Sequence, residues 1–130
     1  MKKLFLFPLF SLSSSFAYAE QLSPRERCYY HLADIVRSSK NFPFILPVAA
    51  KTVNVLYDRD DDNTILLQLS VDKTPDEFDP ETPNSTYPVG WALYDIVNEK
   101  LFALGPNEED RTQIQFNKKY AKNFSKCLAK

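Results

Sequence analysis

Glycine is almost missing from this chain. Only Gly90 and Gly105 occur among 130 residues, so neither a Gly-rich phosphate cradle nor a Gly-x-Ser-x-Gly nucleophile elbow can be assembled. Histidine is scarcer still. The single His31 stands one residue before Leu32 in an amphipathic stretch and reads as a helix-surface residue, which leaves nucleophilic hydrolysis without its usual base. Cysteine is confined to Cys28 and Cys127, and no Cys-x-x-Cys pair is present to lower a thiol pKa. No run of about 20 apolar residues occurs, so no segment is long enough to anchor the chain in a bilayer as a helix.

What is present begins with an export pattern. Met1-Lys2-Lys3 precedes the apolar run Leu4 to Phe10, a serine cluster from Ser11 to Ser15, and Ala17-Tyr18-Ala19. These are the three parts of a secretory signal peptide, expected over residues 1–19 and cleaved after Ala19. A lipoprotein would carry cysteine directly after that site, and the first one here is Cys28. Removing 19 of 130 residues leaves 111, the size of one domain, so residues 20–130 are expected to form a single unit. The mature balance, 14 basic against 17 acidic residues for a net −3, argues against a nucleic-acid partner. An oxidising periplasm makes a Cys28–Cys127 disulfide the default. Closing a loop of about 100 residues stabilises by as much as ~4.7 kcal/mol in the chain-entropy account.

Along the mature chain, Ser23-Pro24-Arg25-Glu26 joins an N-cap serine, a first-turn proline and a glutamate at the third helical position. The helix starting there places Cys28, Tyr29, Leu32, Ile35 and Val36 on one face and ends near Ser39. Pro43 and Pro47 make Asn41 to Ala50 a buried connector and not a helix. Alternation predicts strands over Thr52–Tyr57 and Thr64–Val71, joined as an antiparallel hairpin by Asp58 to Asn63. Asp72 to Pro88 has four prolines and no periodicity, the mark of a long exposed loop. Val89 to Val97 is apolar on both faces, as expected of a central strand with Trp91 and Leu93 in the core, where Trp91→Ala would cost ~3–5 kcal/mol. Asn98-Glu99 turns the chain into Lys100–Leu104, Thr112–Phe116 adds an edge strand, and Asn117 caps a last helix carrying Tyr120, Phe124, Cys127 and Leu128. The expected fold is α+β, an antiparallel sheet of four to five strands packed against N- and C-terminal helices joined by the disulfide.

Charge is unevenly distributed. Residues 58–81 hold nine acids against Arg59 and Lys73, whereas residues 111–130 hold six bases and no acid. Asp58-x-Asp60-x-Asp62 resembles the start of a calcium loop, but Asn63 and Leu69 stand where glycine and a bidentate glutamate belong, so no metal or other cofactor is expected. Both charged stretches suit solvated faces that keep a small domain soluble. The acidic one also suits steering and docking of a cationic protein, with Asp60, Asp61, Asp76, Glu77, Phe78 and Asp79 as the candidate partner-binding residues.

The signal peptide, the early helical Cys28, the Gly90-Trp91-Ala92-Leu93-Tyr94-Asp95 strand, the Lys100-Leu101-Phe102 return and the Tyr120-x-x-x-Phe124-x-x-Cys127 helix resemble the layout of small disulfide-bonded periplasmic immunity proteins. Those proteins guard bacteria against secreted toxins such as type VI effectors, and the layout is also similar to periplasmic lysozyme inhibitors. The resemblance implies a periplasmic, non-enzymatic protein that occludes a toxin or cell-wall hydrolase, and it carries over no catalytic residue. The rival readings are a small envelope enzyme using carboxylates, an accessory subunit of an envelope complex, and a small-ligand carrier.

Overall fold

The computed structural model describes residues 22–74, 77, 80, 85–107 and 110–130. The expected signal segment lies outside them. The order is α1 (Pro24–Arg27), α2 (Tyr29–Arg37), a 3-10 turn (Ala50–Thr52), β1 (Asn54–Asp60), β2 (Thr64–Asp72), β3 (Thr86–Asp95), β4 (Lys100–Leu104), β5 (Arg111–Ile114) and α3 (Lys118–Leu128). Every neighbouring strand pair is antiparallel, and the sheet runs β1-β2-β3-β4-β5, so β3 is its central strand. The architecture is the expected α+β arrangement.

Helix initiation follows the local chemistry. Ser23 caps α1 by accepting a hydrogen bond from the Glu26 N–H at 3.2 Å, with Pro24 at the first helical position. The expected single helix is broken at Cys28, whose backbone (φ −94°, ψ 7°) leaves the helical region and separates α1 from α2. Leu32, Ala33, Ile35 and Val36 are buried on α2, but Tyr29 is 47% exposed, because the break at Cys28 turns it off the core face. At the other terminus Asn117 Oδ1 accepts from the Lys119 N–H at 3.1 Å and starts α3. Cys28 and Cys127 are bonded, with Cα atoms 6.0 Å apart and a sequence separation of 99.

The core lies between the helices and one face of the sheet. Val53, Val55, Ile65, Leu67, Leu69, Ala92, Tyr94, Leu101, Ala103 and Ile114 meet Leu32, Ile35, Val36, Ala121 and Phe124 there. Tyr94 sits at the centre, edge-on to Phe116 and Phe124 with ring centroids 6.3 and 5.8 Å away. Gly90 has φ +158°, a conformation that L side chains rarely adopt, and it lies beside the Phe42 ring, 3.4 Å from where a Cβ would stand. Phe42 is buried as expected of the connector, yet Ile45 and Leu46 are 71% and 41% exposed, so only part of that segment is interior. Its backbone supplies the reason. The Ile45 N–H donates to the Val89 carbonyl, which holds the connector along the edge of β3 with these side chains turned outward.

Trp91 departs from expectation. It is 38% exposed, and the apolar residues on both faces of β3 do not mean that both faces are covered. Ala92 and Tyr94 point into the helix-covered core, whereas Trp91 and Leu93 point to the opposite side. Leu93 is only 8% exposed but does not belong to the core cluster, since its cover comes from neighbours on the open face.

Candidate functional site

The open face can be read from strand register. Leu66 of β2 pairs with Leu93 of β3, which pairs with Phe102 of β4. In the next row Leu56 of β1 pairs with Gln68, and Gln68 with Trp91. Directly paired residues share a face. The sheet therefore presents a patch of large apolar side chains on the side away from the helices, with Leu56 51% exposed. Gln68 sits between Leu56 and Trp91 in that row, so the exposed apolar side chains of this face are interspersed with polar ones.

A groove of about 400 Å³ runs across this patch. Leu66, Trp91, Leu93 and Leu104 form its apolar floor, while Asp58, Arg59, Asp61 and Thr64 wall it on the β1–β2 side and Gly105, Pro106 and Arg111 on the β4–β5 side. A register shift between Tyr57 and Arg59 bulges β1 at Asp58. Such a bulge re-aims side chains, and here it accompanies two charged residues at the groove wall.

The acidic hairpin tip beside the groove is held from outside the hairpin. Arg25 of α1 reaches it with three hydrogen bonds: from Nη1 to Asp60 Oδ2 at 3.1 Å, from Nη1 to the Asp61 carbonyl at 2.6 Å, and from Nη2 to the Asp62 carbonyl at 2.6 Å. Part of the Asp60 charge is thus neutralised within the chain, whereas Asp61 is exposed and lines the groove. Among the described residues, no group of three or more histidine, cysteine, aspartate or glutamate side chains is placed to hold a metal ion.

Of the residues singled out from charge, the three that the structure describes do not lie together: Asp60 and Asp61 are at the hairpin tip, and Glu77 follows β2. The hairpin tip lies before Thr64 and the Pro-rich segment follows Asp72, at opposite ends of β2. Eight residue steps at about 3.3 Å put those ends roughly 26 Å apart. Asp76, Phe78 and Asp79 lie outside the described residues. Glu77 is exposed, but its carboxylate is turned back to the loop base, accepting from the Thr74 hydroxyl at 2.7 Å and the Thr74 N–H at 3.0 Å. The Thr74 hydroxyl, then its N–H and the Tyr87 phenol, hold that carboxyl below its ordinary pKa, and Glu77 in turn pushes the Tyr87 phenol up. The Glu77 carboxylate is therefore already engaged within the chain.

The floor residues escaped a charge-based search. The available signal was β3 itself, apolar at Trp91 and Leu93 as well as at Ala92 and Tyr94, in a chain with too few helices to cover two faces of a sheet. Compared with known proteins, the chain matches no family model, no curated protein and no solved structure.

Proposed function

We propose that this chain is an exported periplasmic binding protein that occludes a protein partner, a secreted antibacterial toxin or a cell-wall hydrolase, and has no chemistry of its own. The observation that carries the reading is the apolar groove floor around Trp91 on the uncovered sheet face, flanked by an acidic tip that Arg25 holds in place. An aromatic anchor on a rigid sheet, ringed by polar groups, has the composition of an interface hot spot. The clamp orders the tip before encounter, which lowers the entropic cost of association. Asp58, Asp61 and Asp62 then serve to steer a cationic partner, and Trp91 and its neighbours to hold it.

The carboxylate-enzyme alternative draws no support from the two carboxyls with shifted acidity. Glu77 and Asp95 are both held below their ordinary values, the opposite of what a general acid at neutral pH needs.

The test is digestion of purified peptidoglycan by a candidate hydrolase, or intoxication by a toxin encoded beside this gene, with and without the mature protein, followed by surface plasmon resonance at two ionic strengths. Inhibition is expected at stoichiometric protein. Trp91→Ala should mainly raise the off-rate, and Asp58→Asn with Asp61→Asn should lower the on-rate and flatten its salt dependence. Full inhibition by the Trp91→Ala protein with unchanged rates would move the interface to another surface.

A further inference from the structure

We infer that the Cys28–Cys127 disulfide is a redox-operated latch on the acidic hairpin tip: oxidised, it holds α1 where Arg25 grips residues 60–62, and reduction by a dithiol frees α1 and the tip while the sheet stays folded. The two cysteines fasten chain ends that have little else to hold them. Between Leu22 and His31 the one buried residue is Cys28, and residues 125–130 include none. α1 buries no side chain of its own. Its capping bonds run within the segment, from the Glu26 N–H to Ser23 Oγ and from the Arg27 and Cys28 N–H groups to the Ser23 and Pro24 carbonyls. α1 is therefore set against the molecule by the disulfide at one end and by the Arg25 fork on Asp60, Asp61 and Asp62.

Both fastenings act on one short segment, so each favours the other. The bond fixes the start of α2 on the end of α3 and limits the positions open to Arg25; an engaged Arg25 in turn keeps Cys28 beside Cys127. With the bond cut, Cys28 retains only the burial of a small thiol, and the next interior residue is Leu32, a full turn further on. The segment before it then opens locally, whereas Leu32, Ile35, Val36 and Phe124 still hold the helices on the sheet. Reduction is a thiol–disulfide exchange. A thiolate of the dithiol attacks Sγ of Cys127, the more exposed partner, the S–S bond breaks, and Cys28 leaves as a thiolate that takes up a proton. The second thiol of the reagent displaces Cys127 and closes the reagent's own disulfide, so two electrons and two protons pass to the pair.

Hydrogen exchange of the mature protein, oxidised and in excess dithiothreitol, tests the latch. Residues 60–64 should exchange up to about fivefold faster in the reduced protein, the range of an exposed ion pair, while the Leu67 and Tyr94 amides stay protected. A tip that exchanges at one rate in both states overturns the latch, and so does loss of the core amides together with the tip, which would mean that the bond holds the whole fold. Oxidised Arg25→Ala should already show the fast tip, and its reduction should add nothing there; an acceleration equal to that of the native protein overturns the proposal as well. Coupling is reciprocal. In graded dithiothreitol the variant should therefore be half reduced at a lower ratio of reduced to oxidised reagent, by the same factor, as read from thiol alkylation and mass; an unchanged midpoint overturns the coupling. None of these measurements contains a partner. Slower partner association of the reduced protein is the one expectation that rests on the proposed occlusion, and its failure beside a released tip counts against that reading alone.

Discussion

Two aromatic residues three positions apart on β3 have opposite situations. Tyr94 is 1% exposed and its hydroxyl has no hydrogen-bond partner among the described residues, while burial, reinforced by Glu99 and Asp95, pushes the phenol pKa upward. A buried unpaired hydroxyl costs about 1–3 kcal/mol. Tyr94→Phe is therefore expected to leave stability unchanged or raise it by about 1 kcal/mol in urea denaturation; a loss of that size would mean the hydroxyl has a partner. Trp91, by contrast, keeps 38% of its surface in solvent. Its truncation to alanine should cost roughly 1–2 kcal/mol, less than the 3–5 of a fully interior aromatic. The same urea titration measures both.

At the level of elements, the hairpin tip and the β3–β4 turn are each fixed by one side chain. Arg25→Ala should raise amide exchange over residues 60–64 and slow partner association, while changing global stability by no more than about 1 kcal/mol, because the pair is solvent-exposed. Arg25→Lys should not restore the tip, since an ammonium cannot reproduce the guanidinium fork that meets three oxygens. In the β3–β4 turn, Asp95 accepts from Asn98 Nδ2 at 2.9 Å and from the Asn98 and Val97 N–H groups at 3.1 Å. Those bonds, the Asn98 side chain first, hold its carboxyl below the ordinary value of 3.8. A lowered carboxyl pKa contributes stability that is complete above the unfolded value and disappears as pH falls through the folded one. The native protein should therefore lose the contribution of this turn only below about pH 4. Asp95→Ala should cost about 1 kcal/mol at neutral pH and almost nothing at the acid end.

For the molecule as a whole, removing the disulfide with a Cys28→Ser, Cys127→Ser pair should cost about 2–5 kcal/mol, read from the thermal midpoint of the mature protein. The fold was legible because its elements carry strong local signals: the Ser23 and Asn117 caps, the alternation over Thr64–Val71, and the Lys100–Leu104 strand appear where the sequence puts them. The candidate site was legible only in part. Local charge density drew attention to Asp60, Asp61 and Glu77, but it carries no information about which end of β2 each one occupies, nor that Arg25 engages the first two and Thr74 the third. Period-two alternation likewise says which residues share a face and leaves open which face the helices cover. Trp91 turned on that choice. Because it is the only tryptophan in the chain and stands on the uncovered face instead of in the core, the indole emission of the native protein reports on one surface. Because the indole is partly covered, that emission should move to the red when the protein unfolds and to the blue when that surface is covered, so the molecule has a built-in optical label at the place where its function is proposed to reside.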